Sequence, residues 1–117
     1  MDNNTVIYIA IAALAVYLLM RRLGSKKAPS SLILEKIRSG AKIIDVRTPD
    51  EFSMSSYPKA ENIPIDSLPA RMDELPKDKP IILYCASGSR NAKAARMLKK
   101  AGFACAISAG GLRDMPR

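Results

Sequence analysis

The chain has 117 residues, a formal net charge of +8, two cysteines, no histidine and no tryptophan. That length holds one domain plus a small extra segment, and two cysteines cannot build a disulfide framework. Without histidine, Ser-His-Asp and Cys-His catalysis and a histidine-ligated metal are excluded, and two cysteines without a CxxC make a poor zinc site, so neither metal nor cofactor is expected. The positive charge is spread along the chain, and with two phenylalanines and four tyrosines to stack on bases it does not mark a nucleic-acid surface.

Residues 1–4 are polar and carry no lysine or arginine. Thr5 to Met20, TVIYIAIAALAVYLLM, carry no charge and as a helix would cover about 24 Å, against a hydrocarbon core of about 30 Å. Leu23 extends the run, Arg21 and Arg22 can snorkel, and Tyr8 and Tyr17 lie where membrane interfaces favour tyrosine. A cleaved signal peptide would want basic residues before the run and a small-x-small site after it. Here Asp2 precedes and RRLGSKK follows. A buried soluble helix fits badly, because the segment is apolar on every face. Residues 5–23 are therefore expected to be a retained transmembrane anchor in a lipid bilayer. Arg21, Arg22, Lys26 and Lys27 all lie on its C-terminal side, which predicts an outside N-terminus and a cytoplasmic domain. A reducing compartment suits a free thiol.

Residues 24–30 read as a short basic linker, and 31–117 as the folded domain. Ser30 or Ser31 is expected to cap a helix with Leu32, Ile33, Leu34 and Ile37 on its apolar side and Gly40 as its stop. Ala41 to Val46, AKIIDV, reads as a buried strand ending in Asp45. Thr48 caps a short helix, Pro49 fits its first turn, and Asp50 and Glu51 suit its positive end. Residues 53–59 read as a loop, and Asn62 to Ile65 as a short strand interrupted by Pro64. Ser67 is expected to cap a helix through Leu75, with Leu68, Met72 and Leu75 apolar. PKDKP, Pro76 to Pro80, is a turn.

Ile81 to Tyr84 are apolar and β-favouring, and Cys85 follows. Ala86, Ser87, Gly88 and Ser89 are small, and Arg90 opens a helical pattern through Ala101. In that helix Ala94, Met97, Leu98 and Ala101 face inward, Lys93, Arg96, Lys99 and Lys100 outward, and Gly102 ends it. Phe103 to Ile107 read as a last strand, and Gly110-Gly111 as the start of a loop. Strands alternating with helices give an α/β fold, a parallel sheet covered on both faces, with Cys85 at the carboxyl end of a central strand.

Two readings of Ile81–Arg90 stand at this point. One is a strand ending in a buried cysteine before an ordinary turn. The other is an anion cradle with a nucleophile at its base, because loop amides and a helix N-terminus favour negative charge at the sulfur. With no histidine base, thiol chemistry would rest on those dipoles and on Arg90.

DVRTPDEF (Asp45 to Phe52) matches a D-x-R-x-x-x-E-[FY] pattern. A small-residue loop and NIP follow, then YCASGSR and a GG near the end. In this order the segments resemble the rhodanese sulfurtransferase domain over roughly residues 31–112, and the whole chain resembles single-domain, membrane-anchored bacterial rhodaneses. The resemblance implies a three-layer domain with a five-stranded parallel sheet after one transmembrane helix, held at the inner membrane. It implies that Cys85 is the nucleophile. Cys85 would take sulfane sulfur from thiosulfate or a persulfide donor and pass it to cyanide or a thiol. Ala86, Ser87, Gly88, Ser89 and Arg90 would form the substrate loop. Ser87 and Ser89 would donate hydroxyls or only permit the turn. Arg90 would hold an anionic donor or brace the loop.

Asp45, Arg47 and Glu51 read as supporting residues, with Glu51 placed to pair with Arg47 and Asp45 with Arg90 or the loop. Cys105 reads as a core residue of the last strand. A membrane-tethered sulfur carrier with little thiosulfate turnover is the alternative. The loop from Cys85 to Arg90 is one residue shorter than in phosphatases and arsenate reductases of related fold, which favours the smaller sulfur site. Two departures stand out. Tyr57 in SSYPKAE takes the place of a histidine common in the family, and the chain runs to GGLRDMPR without the tryptophan often found after the glycines.

Overall fold

A computed structural model describes residues 2–24 and 28–117, the side chains of 21–24 excepted. The side chains of Arg21 and Arg22, and Lys26 and Lys27 altogether, lie outside what is described. Helix α1 (Asn3–Gly24) contains a window, Asn3–Met20, of mean hydropathy 1.8 with none of it buried. It is long and apolar enough to cross a membrane. Its tyrosines Tyr8 and Tyr17 are both exposed.

The described fold then alternates. Helix α2 (Ser30–Arg38) leads to strand β1 (Lys42–Asp45), helix α3 (Pro49–Met54) and strand β2 (Glu61–Asn62). The short helix α4 (Leu68–Arg71) lies between two 3-10 turns, and strand β3 (Ile81–Cys85), helix α5 (Ser89–Lys100) and strand β4 (Ala106–Gly111) complete the chain before a last 3-10 turn. The strands order β2-β1-β3-β4, all parallel. Strand β3 is central and buried at every position, as its run of β-branched and aromatic residues dictates. On one face Ile44, Val46, Ile63, Leu68, Leu83 and Cys85 pack with Ala94, Ala95 and Leu98 of α5. On the other, Ile43, Ile82, Tyr84 and Ala109 pack with Ile33 of α2 and with Met115. These are the layers that adjacent residues of a strand, pointing to opposite faces, must build.

Several expectations are corrected. Four strands are seen among the described residues, where five were expected. The Ala28 N–H does donate to Ser108 O (2.9 Å), at the outer edge of β4. Pro29 follows, has no N–H, and α2 starts at Ser30, so the pairing does not continue beyond Ala28 on that side. Strand β2 is two residues long, although the Ile63 and Ile65 N–H groups, on either side of Pro64, still donate to Asp45 O and Val46 O. The last strand is Ala106–Gly111 and not 103–107, so the glycine pair closes a strand where a loop was expected. The expected Ser67–Leu75 helix is broken into three short pieces, and Ser67 makes no side-chain cap. Pro29 is the N-cap of α2, also without a side-chain cap. Helix α5 buries Asn91 and Ala95 beside Ala94 and Leu98, while Met97 is half-buried and Ala101 is exposed.

Candidate functional site

The carboxyl end of the sheet holds the candidate residues Asp45, Arg47, Glu51 and Cys85 to Arg90, and not Cys105. Cys85 ends β3 and is fully buried. Ala86 to Gly88 turn sharply, and α5 begins at Ser89. Gly88 has φ of +103°, a conformation open to glycine at little strain. That turn aims the Gly88 N–H at Cys85 Sγ (2.9 Å). The sulfur therefore sits at the base of a loop with at least one amide donating to it. A negative charge on sulfur is stabilised by such a donor and by the nearby start of α5.

Asn91 is the residue that the sequence reading missed. It is fully buried. The Cys85 thiol donates to Asn91 Oδ1 (3.4 Å), while Asn91 Nδ2 donates to Leu83 O (3.4 Å) and Ser108 Oγ (2.8 Å). Leu83 O can only accept, so it orients the amide and leaves the oxygen facing sulfur. A signal was present. Asn91, Ala94 and Leu98 share one helical face, so a polar side chain sits in an apolar stripe.

Arg90 is half-buried and tied to Glu51 by two bonds, Nη1 to Oε1 (2.9 Å) and Nη2 to Oε2 (3.2 Å). Glu51 is also the third residue of a capping box. Thr48 N–H donates to Glu51 Oε1 (3.1 Å), and Glu51 N–H donates to Thr48 Oγ1 (3.3 Å). The Arg90 guanidinium, then the Thr48 amide, hold the Glu51 carboxyl down at about 2. Glu51 in turn raises Arg90 further.

Asp45 and Arg47 form a separate pair. Arg47 Nη2 donates to Asp45 Oδ2 (2.7 Å), Nε donates to Asp45 Oδ2 (3.0 Å), and the Arg47 N–H donates to Asp45 Oδ1 (2.8 Å). Asp45 is fully buried and Arg47 nearly so, and their bond raises Arg47 above the usual arginine value. Arg47 Nη2 also donates to Ser55 O, and its guanidinium lies 5.6 Å from the Tyr84 ring centre. The expected partners are thus exchanged. Asp45 is a short, buried side chain at a strand end and reaches only its near neighbour. Glu51, in the first turn of α3, faces the first turn of α5. Both acidic groups support the loop's surroundings, and neither touches the sulfur.

The loop also depends on β4. The β3–β4 register shifts between Leu83 and Cys85, so that Cys85 faces Gly111. A Cβ at Gly111 would lie 2.4 Å from Ala86 O, closer than any real contact. Only glycine lets this strand pass beneath the loop. The Gly111 N–H donates to Asp114 Oδ2 (2.8 Å). Ser87 and Ser89 are exposed. Tyr57 is held at its position by two hydrogen bonds. Its N–H donates to Tyr84 Oη (2.9 Å), and its own hydroxyl donates to Pro116 O (2.6 Å). Burial pushes the Tyr84 phenol up to about 12.

Cys105 does not join the site. It is half-buried, precedes β4, and accepts the Ile81 N–H on its carbonyl (2.9 Å). It is therefore level with the start of β3, while Cys85 ends it. Four residues of strand separate those levels by about 13 Å, and a disulfide needs Cα atoms within about 7 Å. Among the described residues no group of three or more acidic or cysteine side chains could hold a metal ion.

Comparison with known proteins agrees with this geometry. A family model described as a rhodanese-like domain matches residues 29–115. The uncharacterized protein YqhL of Bacillus subtilis is 35% identical over 103 residues, 86% of this chain and 82% of that protein. The thiosulfate sulfurtransferase PspE of Escherichia coli is 31% identical over 74 residues, 62% of this chain and 71% of that protein. Among solved structures, a rhodanese-like domain protein from Staphylococcus aureus superposes with a TM-score of 0.67 at 28% identity, covering 78% of this chain and 91% of that one.

Proposed function

Since the chain belongs to the rhodanese-like domain family, we propose that it transfers sulfane sulfur through a persulfide on Cys85. The observation that carries this reading is the donation of the Gly88 N–H to Cys85 Sγ at the base of a short loop running straight into α5. The Cys85 thiolate attacks the outer sulfur of thiosulfate. The new S–S bond takes the thiolate's electron pair, and sulfite leaves with the pair of the broken bond. The terminal persulfide sulfur then occupies the mouth of the loop, where further amides can receive its charge. A thiolate or cyanide attacks that outer sulfur and releases Cys85 as thiolate. Cys105 is too distant to serve as a resolving thiol, so the acceptor comes from outside the chain.

Substitution of Cys85 by Ser tests the reading in a thiosulfate-to-cyanide assay. Transfer is expected to fall to background, and equal rates for the two proteins would sink the proposal.

One observation favours the sulfur-carrier form of the same chemistry. Arg90, the loop's one cation, is already bound to Glu51, so it adds little to the capture of free thiosulfate. A persulfide donor delivered by another molecule needs no such cation. The same engagement counts against a phosphatase or arsenate reductase, which needs its arginine to clamp a tetrahedral oxyanion.

We place the domain on the cytoplasmic side of the inner membrane, anchored by α1. The unburied apolar window of α1 and the basic residues after it in the sequence support this placement. A C-terminal reporter should be active in the cytoplasm, and activity confined to the periplasm would reverse the orientation.

A further inference from the structure

Helix α5 presents a charged face that the site does not use. Its Ala94, Ala95 and Leu98 turn inward and pack with Leu83 and Cys85. Lys93, Arg96, Lys99 and Lys100 are exposed. Steps of three and four residues put Lys93, Arg96 and Lys100 in one row along the helix, with Lys99 beside it. Among the described residues none of these four makes an ion pair, whereas Arg47, Arg71 and Arg90 each hold a carboxylate. No acidic residue occurs from Lys79 to Arg113. Lys99 and Lys100 suit the negative end of the helix. Lys93 and Arg96 lie in its middle, where the helix dipole does not account for them.

The row starts at the site. Arg90 and Asn91 stand in the first turn of α5. The Cys85 thiol donates to Asn91 Oδ1 (3.4 Å), and Arg90 Nη1 donates to Glu51 Oε1 (2.9 Å). Lys93 is one turn along α5 from Arg90, and Met54 is one turn along α3 from Glu51. Each therefore lies on the side of its helix that carries the ion pair. Met54 is 87% exposed and packs in neither core. Outside α1 it is the one large apolar side chain exposed among the described residues. A flexible apolar side chain beside a row of cations suits a protein interface, which needs a desolvated anchor within a polar rim.

We infer that the outward face of α5, with Met54 at its loop end, is the docking surface for a protein that presents an acidic patch around an apolar side chain. The cations attract and orient the partner, and Met54 supplies the desolvated contact. Two other polyanions match the surface less well. Ala28, where the chain arrives from α1, packs on the α2 face of the sheet. The row on α5 lies across the sheet from that attachment, so a bilayer holding α1 is not placed to meet it. Helix α5 carries no aromatic side chain, and Phe103 just past its end is buried with Lys77 over its ring. A nucleic acid would thus find charge without a stacking platform. Docking of this kind does not depend on which group Cys85 carries.

The test titrates the full chain, held in zwitterionic nanodiscs, with a short labelled peptide of glutamate and leucine. Lys93→Glu with Arg96→Glu should weaken binding roughly tenfold. Lys36→Glu with Arg38→Glu, the same change of charge on α2, should leave it within about twofold. Replacing leucine by serine in the peptide should cost about threefold against the parent and nothing against Met54→Ser, the coupling expected of a direct contact. Amide NMR shifts should fall at Met54, Lys93 and Arg96. Equal losses in the two double variants would mean attraction to any basic surface and would overturn the inference, as would no saturable binding or shifts confined to other elements. Single-stranded RNA or phosphatidylglycerol vesicles that bind more tightly than the peptide through Lys93 and Arg96 would overturn it in favour of that polyanion. Cys85→Ser should bind the peptide as the parent does, so a failure of sulfur transfer and a failure of docking are read separately.

Discussion

The two ends of the sheet each carry one cysteine, and they differ in everything but residue type. Cys85 is fully buried at the carboxyl end of β3, under a loop whose amide donates to its sulfur and beside an asparagine that accepts from it. Cys105 is half-buried at the amino end of β4, and its recorded contact is made by its backbone carbonyl. In a parallel sheet the loops that lead into helices all leave from the carboxyl ends, so helix N-termini and turn amides collect there. The contrast teaches that the fold's polarity, not the thiol, sets the two cysteines apart, and the proposed transfer places its chemistry at the end where amides gather.

The largest effect that sharpens this contrast comes from exchanging the cysteines' fates. Cys85→Ser should reduce sulfur transfer to background, while Cys105→Ser should leave it within about twofold, as expected where no special feature is touched. Comparable losses in the two variants would erase the distinction. Next is the strand beneath the loop. Gly111→Ala places a Cβ against Ala86 O, and the forced shift should destabilise the fold by about 1–3 kcal/mol. Transfer should fall beyond what the unfolded fraction explains. Denaturation midpoints together with rates measure both, and a variant as stable and active as the parent would show that the loop does not need this close approach.

A smaller effect is expected at Tyr84. Tyr84→Phe removes the oxygen that accepts the Tyr57 N–H and should lower stability by about 1–2 kcal/mol, seen in the same denaturation experiment. Smallest is the Glu51–Arg90 pair. Glu51 is held at about 2, below its ordinary 4.5. Its ionisation therefore contributes stability that is fully present above about pH 4.5 and is lost as pH falls toward 2. With both side chains about one-third exposed, solvent screening limits that contribution to about 1 kcal/mol. Urea midpoints across that window should fall more steeply in the parent than in Glu51→Gln, and parallel curves would show that the pair adds nothing.

The same contrast explains what could be read from the residues. Cys85 at the end of a central strand was legible, because Ile81–Tyr84 form a continuous apolar run and Arg90 opens a helical period. Thr48 as a helix cap was legible too, since caps are local. The pairing of Glu51 with Arg90 was not, because sequence spacing reports neighbours four residues away and not two helices whose first turns meet. Gly110-Gly111 read as a loop because glycine is a turn signal, yet here the register shift opposite Cys85 keeps the pair within β4. The fifth strand was implied by resemblance alone, and among the described residues that edge shows the Ala28 N–H on Ser108 O before Pro29 leads into α2. Asn91 was hidden in a helix rich in polar residues.

The most direct test of the central claim is intact-protein and peptide mass spectrometry after incubation with thiosulfate or a persulfide donor. Transfer through Cys85 predicts a gain of about 32 Da, one sulfur, on the peptide containing Cys85, removed by cyanide or by an acceptor thiol. The absence of that adduct with every donor, or its appearance on Cys105 instead, would contradict it.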